Sequence, residues 1–357
     1  MTKKMRDSNI ELLRIIAVMG VIVLHFNGSY AHAFNHVNQG TIQYYVLHYL
    51  ESLFIPAVNL FILISGYYMS GTYRRPIIKP ILLITQVILL NEAIYLATVI
   101  LGGGKLSLRQ LIGNALPCNY YVILYIALYF ISPYINLLMD KLQEKALRIF
   151  LNVTVLLFSV WPILVDLMQE ILGQELMGLN TVGMHGDQNG YTIVNFVLMY
   201  IIGAYLKKKE VLWSRGKAFL IAFGCSIILT IWSVVLPDTA WIYCNPIVIL
   251  QAVAVFVGVK QLSFSNGLVN TLSKGVFTCF LFHGPFVQRL PSAEWVKGNV
   301  IIMLLLIVAS MIGIYLICWC AWGIYNIFEK FVLKKLLKVF DKWVLEIEPQ
   351  EKGELCK

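Results

Sequence analysis

The sequence predicts an all-α polytopic membrane protein, a bundle of about ten transmembrane helices with both termini cytoplasmic. Three observations predict it. Mean hydropathy is +0.75, and 59% of the 357 residues are hydrophobic against 13% charged, roughly half the charged share of a soluble domain. The apolar residues gather into ten stretches of a length suited to the bilayer. The net charge of +9 falls in the short connections between alternate stretches, which is the positive-inside pattern and not a basic patch for nucleic acid.

The first stretch, about residues 10–26, organises the rest. It carries Glu11, Arg14 and His25 inside an apolar run, and an ionisable group at membrane depth is a functional candidate by default. Arg14 and His25 stand eleven residues apart; at about 100° per residue they share one helix face, roughly 16 Å apart. The plainer alternative is an arginine that snorkels to the interface and a histidine that caps the far end. A polar, His- and Asn-rich loop without Lys or Arg follows (27–41). The second stretch, 42–69, holds Glu51, Pro56 and Asn59 and ends in Ser65-Gly66, small positions suited to close helix packing. The third runs over 77–101. A triple glycine at 102–104 leads to a short amphipathic piece at 106–115, predicted to lie at the interface. The fourth stretch (119–139) begins with Tyr120 and Tyr121, interfacial aromatics by type, and Tyr125 and Tyr129 share a face. The fifth covers 147–168, and an acidic, Gly-rich loop reaches residue 191. The sixth (192–206) offers Gly203-Ala204 for tight packing and presents Asn195 to an unidentified partner. The seventh to tenth run over 218–236, 246–259, 272–287 and 300–328. Residues 1–330 thus read as one membrane domain, and 331–357 as a basic amphipathic cytoplasmic tail.

With ten crossings, most basic residues fall on one side: Lys3, Lys4 and Arg6; Arg74, Arg75 and Lys79; Lys141, Lys145 and Arg148; Lys207 to Lys209, Arg215 and Lys217; Lys260 and Lys274; and the tail lysines. The other side holds only Lys105, Arg109, Arg289 and Lys297. This bias makes the Arg14 end cytoplasmic and puts His25 near the outer end of its helix. No cleaved leader is expected, because no small-residue cleavage site follows the first stretch. The seven cysteines show no metal spacing, and a disulfide between Cys118 and Cys244 is possible but not favoured.

Of the other histidines, His32, His36 and His185 read as solvated loop residues, whereas His283 lies within a span just before Gly284-Pro285 and could line a polar cavity. Arg74, Arg75 and Lys79 read singly as ordinary inner-face charge; as a cluster near the Arg14 end they could hold phosphates. No phosphate-loop, dinucleotide or metal motif is present, so no metal is expected.

Arg14 and His25 in an N-terminal membrane helix, Asn59–Tyr68, Arg74-Arg75, residues 119–136 and Tyr200–Leu206 together resemble the acyltransferase-3 family of membrane acyltransferases, specifically its bacterial branch that O-acetylates capsule and other cell-envelope glycans. The resemblance implies a ten-span fold in a bacterial plasma membrane. It implies acetyl-CoA as acyl donor, a carbohydrate or glycolipid acceptor, and glycan-assembly partners. Arg14 and His25 would then be catalytic, with His25 a general base or a transient acyl carrier. Arg74, Arg75 and Lys79 would meet the donor, and Glu11, Asn59, Ser65, Tyr121 and His283 would support them. One rival reading is a transporter or flippase for a polysaccharide or small solute, although no half-to-half repeat is visible; a second is a non-catalytic scaffold for a glycan-assembly complex, against which the intact Arg14 and His25 pair argues.

Overall fold

The computed structural model describes residues 7–182, 190–209 and 213–347. Helix α1 (Ser8–Asn27) opens the chain. Helices α2 (Ile42–Phe54) and α3 (Ala57–Met69) form one rod broken at Pro56, which cannot donate a backbone hydrogen bond. A short strand β1 (Arg74–Pro76) leads into α4 (Ile78–Gly102), then α5 (Leu108–Asn114) and α6 (Tyr120–Lys141). Helices α7 (Glu144–Val155) and α8 (Trp161–Leu172) join through a single π-helical turn. Next come α9 (Ile193–Lys208), α10 (Arg215–Val235), the short α11 (Pro237–Ala240) and α12 (Pro246–Lys260). Helices α13 (Gly267–Leu272) and α14 (Val276–Phe282), which form one rod, and α15 (Gly284–Val287) follow, then α16 (Ser292–Trp295) and α17 (Val300–Phe328). Strand β2 (Val344–Glu346) returns antiparallel to β1, so the tail is tied to the bundle through the segment after α3.

Each of the ten predicted stretches is helical. Among the described residues, seven rods are long and apolar enough to cross a membrane; α9, α12 and the α13–α14 rod are shorter, at 16, 15 and 16 residues. The chain is an all-α polytopic membrane protein. Local chemistry sets many starts: Asn119, Thr192, Ser214, Asn245 and Asn299 each accept a backbone N–H from the first turn of the helix they precede, satisfying donors that lipid could not. Helix α5 buries none of its residues and leaves Leu108 and Ile112 exposed. Large apolar side chains also cover the outer faces of α4, α10 and α17, including Ile100, Leu220, Ile231, Ile301 and Ile324. Such surface suits hydrocarbon and not water.

Two apolar cores flank α1. Ile10, Leu13, Ala17 and Val21 belong to the core shared with α3, α6, α9 and α12. Ile15, Val18, Ile22 and Phe26 belong to the core shared with α14 and α17. Helix α1 is therefore the seam of the molecule, apolar on two sides, and its polar residues occupy what is left. At its start, Asn9 Nδ2 donates to the carbonyls of Val259, Lys260 and Leu262 at 3.1, 3.2 and 2.7 Å, capping the end of α12. Helices α3 and α9 cross with backbones touching: a Cβ on Gly66 would strike the backbone of Tyr200, and one on Gly203 that of Leu63. Beside this crossing, Asn195 Nδ2 donates to Asn59 Oδ1 at 3.1 Å, which supplies the partner that the sequence left open.

The ends of the rods sort as the charge pattern predicts. Lys260 pairs with Asp7 at 2.8 Å, Lys208 with Asp140 at 2.6 Å, and Tyr73 donates to Asp140. The starts of α1 and α4 and the ends of α3, α6, α9 and α12 thus gather at one basic end. Lys3, Lys4, Arg6 and His185 lie outside the described residues. Cys118 is exposed and Cys244 buried, with no disulfide between them.

Candidate active site

At the end of α1 away from the basic cluster, His25 Nδ1 lies 2.5 Å from His283 Nε2, and the two rings stack with centroids 4.8 Å apart. His283 sits at the break between α14 and α15, buried, with its Nδ1 2.8 Å from the Cys279 carbonyl. A carbonyl only accepts, so His283 Nδ1 carries the hydrogen. With both rings neutral, its Nε2 is then a bare acceptor, and His25 must donate from Nδ1. The chain Cys279 carbonyl–His283–His25 leaves His25 Nε2 with a free lone pair, the form a general base needs. Tyr30 packs edge-on against both rings, an approach allowed by Gly284, where a Cβ would lie 2.9 Å from Tyr30 Cζ.

Among the described residues, three neighbouring cavities share lining residues in a row. The His pair lines the first, of about 730 Å³. Its acidic side chains are Glu51 and Asp238, with no Lys or Arg among the described residues that line it. Glu51 Oε2 accepts from Asn27 Nδ2 at 2.8 Å. Tyr120, Tyr191, Trp241 and Tyr243 add aromatic wall. The second cavity, about 520 Å³, holds Arg14, Glu11 and Lys274 and shares Phe280 with the first. The third, about 580 Å³, holds Arg74, Arg75, Lys79 and Glu329 and shares Leu83 and Tyr125 with the second. Along the row the Asp, Glu, Lys and Arg lining changes from two acidic residues beside His25 to mainly Lys and Arg beside Arg14 and Lys79.

A family model described as an acyltransferase domain, that of acyltransferase-3, matches residues 7–323. The chain belongs to the acyltransferase-3 family. Neither the curated proteins nor the solved structures gave a match.

For a membrane acyltransferase, the placement of the predicted residues is informative. Arg14 and His25 do share the α1 seam, but they line different cavities that meet at Phe280; the helix turn aligns them while the packing of α14 stands between them. Glu11 Oε1 accepts from Arg14 Nη1 at 3.1 Å, and the Arg14 side chain is one-third exposed. Ser65 and Tyr121 line the Arg14 cavity, where Ser65 Oγ also donates to the Phe61 carbonyl. Asn59 lines none of the three cavities; its Nδ2 donates to the Tyr243 carbonyl at 2.8 Å, which fixes that loop behind the His25 cavity. The basic cluster separates. Arg75 is buried, donating to Ser132 at 2.9 Å and Thr72 at 2.8 Å, with two backbone carbonyls in reach. Arg74 is exposed, 3.8 Å from Glu346, and Lys79 is exposed. None of the three shares a cavity with Arg14.

Sequence reasoning noted Glu51 within its span but gave it no role, and it passed over Tyr30, Tyr191 and Tyr243. A carboxylate in the middle of an apolar run was the available signal for Glu51. The tyrosines sit at helix ends or in loops, where an interfacial belt explains them equally well. His48 is buried against Ser233 at 2.8 Å, whereas His32 and His36 are exposed.

Proposed function

We propose that this membrane acyltransferase moves an acyl group, in the simplest case acetyl, from acyl-CoA to a hydroxyl of a cell-envelope glycan or glycolipid in a bacterial plasma membrane. The observation that carries the reading is the row of cavities, basic at one end and lined at the other by a histidine whose outward nitrogen is free to accept a proton. A polyanionic donor suits the basic end. Arg74 and Lys79 would face its phosphates from water, with Arg14 and Lys274 deeper along the row. Glu11 orients Arg14 through their ion pair, and the thioester arm would extend past Leu83, Tyr125 and Phe280 toward His25.

At the far end His25 Nε2 removes the proton from the acceptor hydroxyl. The hydroxyl oxygen bonds to the thioester carbonyl carbon, the carbon–sulfur bond breaks, and the proton passes from His25 to the departing thiolate. His283 holds the tautomer throughout and shares the charge of the transient imidazolium. The thioester is already activated, so this step balances without a further reagent. Membranes containing the protein, incubated with labelled acetyl-CoA, are expected to label an envelope glycan. His25→Ala should lower the rate by about 10²–10⁴-fold with unchanged protein in the membrane. Full transfer by that variant would remove His25 from the chemistry.

A further inference from the structure

Resting on the acyltransferase reading, we infer that the sugar residue acylated is one without an acidic group: no carboxylate, sulfate or phosphate. The basis is the lack of cationic side chains in the His25 cavity. Its two acidic lining residues are Glu51 and Asp238, and the described residues that line it include no Lys or Arg. At the rim a third carboxylate stands behind Asp238: Glu170 accepts from the Asp238 backbone N–H at 3.3 Å and from Thr239 Oγ1 at 2.7 Å. The basic residues that topology assigns to this end, Lys105, Arg109, Arg289 and Lys297, do not line the cavity, and Arg289 donates to the Pro285 carbonyl at 2.6 Å.

An acidic sugar placed within reach of His25 would find no counter-cation among the described lining residues, and on its way in would pass the exposed Asp238 carboxylate at the rim. Proteins that recognise carboxylates or phosphates supply Arg or Lys for the purpose; here those residues stand along the other two cavities. An uncharged sugar meets the opposite situation. Its C–H faces fit the rings of Tyr120, Tyr191, Trp241 and Tyr243. Its hydroxyls find acceptors in Glu51 and Asp238 and a side-chain amide in Asn119, all of them lining residues. The same distribution of cations leaves the phosphates of the donor at their own end, because the Arg and Lys residues that would hold them line the other two cavities.

The test uses membranes of the native host with the full-length protein, labelled acetyl-CoA and the host's own envelope glycan. After mild depolymerisation, mass spectrometry identifies the sugar that carries the label. The expected result is label on a residue with no acidic group, dependent on His25. Label on a uronate, sialate, sulfated or phosphorylated residue overturns this inference and leaves the acyltransferase reading standing. Absence of His25-dependent label on any glycan overturns both. A second arm uses Asp238→Lys, a change at the exposed rim. Offered a neutral disaccharide and its uronate counterpart in competition, this variant is expected to shift toward the uronate by about tenfold relative to wild type. An unchanged ratio counts against the inference.

Discussion

His25 owes its proposed reactivity to the company it keeps. A lone imidazole in an apolar helix has no fixed tautomer; here the Cys279 carbonyl fixes His283, and His283 fixes His25. His283 is accordingly a positioning residue, and its variants should separate position from fold. His283→Ala removes the acceptor for His25 Nδ1 and is expected to lower kcat by roughly 10–100-fold with little change in the KM for acyl-CoA. His283→Gln can still offer an oxygen to His25 and an amide hydrogen to Cys279, so it should recover part of the loss. Equal loss in both variants, together with a lowered melting midpoint, would reduce His283 to a packing residue. Steady-state kinetics and thermal denaturation in detergent supply the two readouts.

Strand β1 shows how an element assigns roles to neighbours in sequence. Successive side chains of a strand point to opposite faces. Arg75 turns inward to Ser132 and Thr72, and Arg74 turns outward beside Glu346 of β2. Their substitutions should therefore differ in kind. Arg75→Ala leaves buried acceptors without a donor and is expected to destabilise the protein by about 1–3 kcal/mol, seen as a lower melting midpoint. Arg74→Ala, alone or with Lys79→Ala, breaks only an exposed pair worth about 0–1 kcal/mol. Its expected effect is a raised KM for acyl-CoA that grows less marked at high salt, with the midpoint unchanged. A double variant with wild-type KM at low salt would take the donor phosphates away from this cavity.

At the scale of the molecule, the two ends differ in charge and in chemistry, and the orientation across the bilayer decides which ligand each one meets. Cys118 is exposed and borders the His25 cavity; Lys335 is exposed in the tail beyond α17. In a background with the other cysteines changed to serine, a membrane-impermeant thiol reagent should label Cys118 in intact cells. It should label Lys335→Cys only after lysis. The reverse pattern would invert the topology and put the acidic cavity in the cytosol, against the positive-inside bias.

What the sequence by itself determined is what depends on local composition and period: ten apolar stretches, the side on which their basic ends gather, the shared face of Arg14 and His25, and the blocks that mark the acyltransferase-3 family. Solvation decides these features, since a membrane span and its flanking charges are legible one segment at a time. Only the tertiary structure decided which polar groups meet. It paired His25 with His283, 258 residues away, and drew Glu51 and Asp238 into one cavity. It also turned Arg75 into a buried brace and put Phe280 where the His25 and Arg14 cavities meet. The physical reason is that helix periodicity gives the azimuth of a side chain on its own rod, whereas its partner depends on how ten rods pack, and that packing is fixed by contacts such as Gly66 and Gly203 between residues far apart in the chain.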